Sequence, residues 1–147
     1  MKTLTKYHGE IDISQDDIWT FEGGIPGFIE EKQFVLLPLP QVDGFSVLQS
    51  IRTQELGFVV SDPFQFFADY DFILNDSIIE LLDLKEEKNV KVLSILTVKD
   101  PITETTANLQ APLILNTDNQ KGKQVILSET DYKTKHLIFT TKQPVKG

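Results

Sequence analysis

Apolar positions in this chain come in short clusters broken by Gly, Pro, Asn and Asp, and most clusters carry a strand period rather than a helical one. Tyr7, Gly9, Ile11 and Ile13 alternate with polar neighbours, which predicts a first strand that contains His8. Ile18-Trp19-Thr20-Phe21 is β-branched and aromatic, and Gly23-Gly24-Ile25-Pro26-Gly27 interrupts it. Residues 34–39 read as a buried strand that ends at prolines. Residues 45–51 and 56–61 read as a hairpin across Arg52-Thr53-Gln54.

The period changes at Asp62-Pro63-Phe64, where Asp as N-cap and Pro at the first helical position predict one helical turn. Residues 70–74 return to strand character. Residues 75–84 are the convincing helix, with Ile78, Leu81 and Leu82 on one face. Ser77 and Glu80 match a capping box, with Asn75 or Asp76 as alternative caps. Residues 85–89 form a charged link. Residues 90–98 make the strongest strand, ended by Asp100-Pro101. Residues 107–115 read as another strand, with Pro112 placed at an edge or a bulge because it cannot donate to a ladder. Residues 119–122 then turn into a partner strand at 124–127.

Roughly eight to ten short strands with one or two short helices predict a mainly β fold. A small antiparallel barrel-like roll is preferred over a sandwich, because closure removes edges that would otherwise pair with other chains.

The length of 147 residues fits one domain. No residue is Cys, which excludes disulfides, thiolate metal sites and a Cys nucleophile. The N-terminus leads into no apolar run, and no apolar stretch approaches the roughly 20 residues of a membrane helix, so a cytoplasmic location without membrane contact is expected. Net charge is −8, which argues against direct nucleic-acid binding. The charge is uneven: residues 1–120 carry 8 basic and 20 acidic groups, whereas residues 121–147 carry 6 and 2. The acidic body is therefore expected to be a single domain over 1–132. Residues 133–147 are expected to be a basic tail, frayed or folded over that body.

Candidate chemistry is sparse. His8 and His136 are isolated in sequence and give no metal or catalytic spacing. Asp69 and Asp71 flank Tyr70 and would share a face in a strand, as a weak cation site, half of an acid–base pair, an acidic patch for a cationic partner or, most economically, a plain solvated face. The glycines at 23, 24 and 27 lack the Lys-Ser/Thr of a phosphate loop, and Pro26 removes an amide donor. Asn108 and Gln110 alternate with Leu109 and Ala111, so their amides would share a face. They could bond an incoming backbone or serve neighbouring loops.

An ordered set of motifs begins with Lys6-Tyr7-His8-Gly9, Gly24-Ile25-Pro26-Gly27-Phe28, Leu48-Gln49-Ser50, Asp62-Pro63-Phe64 and Asp69-Tyr70. It continues with Ile79-Glu80-Leu81-Leu82, Leu96-Thr97-Val98, residues 106–112 and Lys121-Gly122-Lys123-Gln124. From about Thr5 to Tyr132 this set resembles the FliW family of bacterial flagellar assembly factors. The resemblance implies a non-enzymatic protein, without cofactor, that binds flagellin and the basic RNA-binding translational regulator CsrA in competition. Captured CsrA would be antagonised allosterically, away from its RNA-binding surface, which relieves repression of flagellin translation. A monomer is expected. Asp69, Asp71, Asn108 and Gln110 are the candidate partner-binding residues. Two other classes stay open on the residues alone: a small-molecule or flavin-binding barrel lined by the ten Phe and three Tyr, and a hydrolase using paired carboxylates.

Overall fold

The computed structural model describes residues 1–128 and 130–139. It contains eleven strands and one α-helix in those residues. In chain order they are β1 (Lys2–Leu4), β2 (Glu10–Asp12), β3 (Ile18–Thr20), β4 (Gln33–Pro38), β5 (Phe45–Ser50) and β6 (Gly57–Ser61). There follow α1 (Asp76–Leu81), β7 (Val90–Thr97), β8 (Thr106–Ala107), β9 (Leu113–Asn116), β10 (Lys121–Gln124) and β11 (His136–Leu137). Strands β3 to β7 form an antiparallel meander, and the β9–β10 hairpin closes it into a seven-stranded barrel by pairing with β7 and β3. The mainly β, barrel-like architecture agrees with the sequence pattern. Every junction of the ring is antiparallel except β10 against β3, a parallel contact at Lys121 and Thr20.

Strand alternation sorts the apolar residues between the two faces of the barrel wall. Trp19, Phe21, Phe34, Leu48, Val60, Leu93, Leu113 and Leu115 meet in one cluster inside. Phe21 meets Phe34 edge-to-face with centroids 5.4 Å apart. These rings fill the interior as core. Gly122 is required where β10 crosses them, since a Cβ there would lie 2.7 Å from both Phe21 and Leu115 side-chain atoms. On the outside, Val90, Val92 and Ile114 are covered by α1 and the segment before it. That double coverage explains why β7 and β9 carry apolar residues on both faces. The β1–β2 hairpin covers Ile18 and Val35 at another part of the wall.

Gln49 ties that hairpin down. Its side chain is fully buried, and its Oε1 accepts the Lys6 amide at 2.9 Å. Its Nε2 lies 3.0–3.3 Å from the carbonyls of Ser50, Thr53, Gln54 and Leu56.

Several local expectations are corrected. The first predicted strand is a hairpin, β1–β2, in which Gly9 at φ +67 and the Thr5–Gly9 hydrogen bond make the turn that holds His8. Residues 70–74 keep strand-like burial, but among the described residues they pair with no strand. Helix α1 is shorter than 75–84, because Asn75 caps it by accepting the Ile78 amide and Asp83 adopts φ +54 after it. The 107–115 strand splits into β8 and β9, with Asn108 to Pro112 between them. The strand expected at 124–127 starts earlier, at Lys121. Within the stretch expected as a tail from residue 133, β11 pairs with β8 and Ile138 is buried. Residues 140–147 of the expected tail lie outside the described residues.

Candidate partner-binding site

Residues 71–74 run between two surface grooves without helix, turn or bend. Their burial alternates: Phe72 and Leu74 pack inward against Ile78, Leu82, Ile114 and Val125, while Asp71 and Ile73 face out. Ile73 is 91% exposed. One groove, of about 670 Å³, is lined by this segment together with Phe64, Ile79, Leu84, Val90 and the charged loop at 85–87. The other, of about 540 Å³, lies between the same segment and residues 125–128, where Ile126 is 66% exposed.

A knot of three chain segments fixes the start of this stretch. Tyr70 is buried and donates its hydroxyl to the Leu109 carbonyl at 2.8 Å. Its ring meets that of Tyr132 edge-on at 4.8 Å, and the Tyr132 hydroxyl accepts the Asp71 amide at 3.0 Å. The amides of Leu109 and Gln110 both donate to the Lys133 carbonyl at 3.1 Å. Burial, and secondarily the neighbouring Tyr132, push the Tyr70 phenol well above its ordinary range, so it stays a donor. At the other end, the Asn75 cap turns the chain into α1.

The predicted site residues distribute unequally over this region. The Asp71 amide bonds the Tyr132 hydroxyl and the Gln110 amide bonds the Lys133 carbonyl, so both backbones meet the 132–133 segment. Asp69 is exposed in the turn before Tyr70, so Asp69 and Asp71 are not on one face of a paired strand. Asn108 is half-buried, and its Oδ1 accepts the amides of Gln110 and Ala111 at 3.1 and 3.0 Å. That oxygen serves its own loop, the second of the two roles open to it in the sequence. The exposed Ile73 and Ile126 were not singled out, although Ile73 stood between Phe72 and Leu74 in a strand-like run. Among the described residues no three His, Asp or Glu side chains gather closely enough to hold a metal ion.

The groove wall is acidic. Asp71, Glu86 and Glu87 face the larger groove, and among the described residues Lys85 is the one cation lining it. Lys85 is shared with Asp83 at 3.8 Å, and Glu86 with Lys88 at 3.4 Å. Among the described residues no cation lies within ion-pair distance of Asp69, Asp71 or Glu87.

A family sequence model described as FliW protein matches residues 2–138. The chain belongs to the FliW family. A flagellar assembly factor FliW of Geobacillus sp. (strain WCH70) is 54% identical over 97% of this chain and 98% of its own. The same-named protein of Bacillus subtilis (strain 168) is 49% identical over 91% of this chain and 94% of its own. A crystal structure described as the flagellar assembly factor FliW matches with a TM-score of 0.92 at 51% identity, covering both chains completely. The barrel, the short helix and the segment on its outer wall are thus those of a FliW-family chain. Among the described residues no helix is long and apolar enough to cross a membrane.

Proposed function

We propose that this chain is a flagellar assembly factor that binds flagellin and CsrA in competition, antagonises CsrA allosterically and so relieves repression of flagellin translation. The reading rests on one observation above others: FliW-family identity near one half over almost the whole chain, with relatives named as flagellar assembly factors. The acidic groove beside residues 71–74 supports it, because a basic regulator is attracted to such a surface while phosphate backbones are repelled. Exposed Ile73 and Ile126 supply apolar area that a partner can cover. Asp69, Asp71 and Gln110 are the polar groups proposed for the contact, with Asn108 shaping the loop that carries Gln110. The protein works in the cytoplasm, as a monomer, and performs no catalysis.

Calorimetric titration of the protein with CsrA and with flagellin, followed by displacement of each by the other, tests this. Saturable binding to both with mutual displacement is expected. Binding to neither removes the proposal, and simultaneous binding removes the competition.

A further inference from the structure

We infer that residues 71–74 form an open strand edge that takes up an extended segment of another protein, one alternating basic and apolar side chains. The inference stands on the backbone and does not depend on which protein supplies the segment.

Three observations converge. First, residues 71–74 have the period-2 burial of a strand, with Phe72 and Leu74 inward and Asp71 and Ile73 outward. Secondly, among the described residues the segment has no strand beside it. It belongs to no sheet, and among the described residues no backbone group of Phe72, Ile73 or Leu74 meets another backbone group. The Asp71 amide points to the Tyr132 hydroxyl, so alternation turns the Phe72 and Leu74 amides to the opposite edge. Thirdly, the segment is pre-shaped. The Tyr70 knot holds one end and the Asn75 cap holds the other, so little ordering remains for a partner to impose.

Adding a strand satisfies these main-chain groups and lets side chains on alternate sides supply specificity. Inward residues of the incoming segment would enter the groove against Phe64, Leu84 and Val90 and should be apolar. Outward residues would lie beside Asp71 and Ile73, near Glu87, and one of them should be a cation. A second copy of this chain is a poor occupant. Pairing the edge with itself would bring two sets of Asp69, Asp71 and Glu87 together, and like charges opposite each other oppose pairing.

The test uses the full chain, isotope-labelled for NMR, and a blocked hexapeptide alternating lysine and valine. Saturable binding is expected, with amide exchange at Phe72 and Leu74 slowed at least tenfold. A hexapeptide of the same composition with its lysines and valines in separate blocks should bind at least tenfold more weakly. N-methylation of alternate peptide residues should abolish binding in one phase and spare it in the other, since only one edge of the peptide pairs. The Asp71→Asn, Glu87→Gln variant should weaken binding and flatten its salt dependence. The inference is overturned by equal binding of both methylated peptides, by protection elsewhere only, by a helical bound peptide, or by concentration-dependent protection of Phe72 in the protein alone. None of these readouts involves CsrA or flagellin, so failure here and failure of the proposed function are distinguishable.

Discussion

The Tyr70 hydroxyl donates to the Leu109 carbonyl at 2.8 Å, joining segments 39 residues apart at the entrance to the groove wall. Tyr132 completes the junction by stacking edge-on against Tyr70 and accepting the Asp71 amide. Tyr70→Phe keeps the ring and strands a buried carbonyl. The expected cost is about 1–3 kcal/mol in urea unfolding, together with weaker partner binding because residue 71 loses its fixed direction. Unchanged stability would mean that the Leu109 carbonyl finds another donor.

Gln49 makes a similar argument inside the wall. Gln49→Leu preserves bulk but leaves the Lys6 amide and the carbonyls of the β5–β6 turn without their partner. We expect a loss of about 1–3 kcal/mol, and selective loss of exchange protection in the β1–β2 hairpin. Gln49→Glu should be worse than Leu, since it sets a carboxylate against carbonyl oxygens.

At the proposed contact surface, Asp71→Lys and Gln110→Ala should leave the unfolding midpoint nearly unchanged, because neither side chain is buried. Asp71→Lys should weaken CsrA binding by at least tenfold and steepen the loss at low salt. If both variants fold normally and bind both partners like the parent protein, those residues are not in the interface.

His136 gives a pH dependence with a definite sign. Burial first, and the Lys133 charge second, lower its pKa, and its Nε2 accepts the Lys133 amide at 2.8 Å, which requires the neutral ring. The unfolded chain takes up the proton near the ordinary value of about 6.5, whereas the folded chain takes it up lower. Below that value the unfolded state binds more protons, so the contribution of His136 is fully present above about pH 6.5 and declines as pH falls. Exchange protection at Ile138, whose amide donates to Thr105, should fall between pH 7.5 and 5.5. His136→Gln should remove most of that change.

The barrel strands were legible because each carries its own period. Leu93 and Ile95 point one way and Val92 and Leu96 the other, and such alternation survives any rearrangement of the loops. The end of the chain was not legible. Lys133 and Lys135 read as a basic tail, frayed or folded over the body, and the Lys133 carbonyl and the two residues of β11 dock onto residues 106–110 through backbone groups that carry no side-chain signal. The division of 107–115 was not legible: Pro112 suggested only an edge or a bulge within one strand, and Asn108 closing a turn with Gln110 and Ala111 depends on one side-chain rotamer. Residues 70–74 looked like a strand by every local measure. The missing element was the neighbour, which no local pattern encodes. Asp71 and Gln110 were therefore placed in one region for a reason unrelated to their shared polarity: Tyr132 and Lys133 run between them.

The β9–β10 hairpin has a consequence for the order in which the chain is made. Strands β3 to β7 are complete once Thr97 has been synthesised, and they leave two bare margins, at β3 and at β7. A single hairpin ending at Gln124 occupies both. Until it emerges from the ribosome, β3 and residues 90–93 of β7 lack the partners they have in the closed ring. A transcript truncated before Leu113 should yield insoluble material rather than a merely less stable protein.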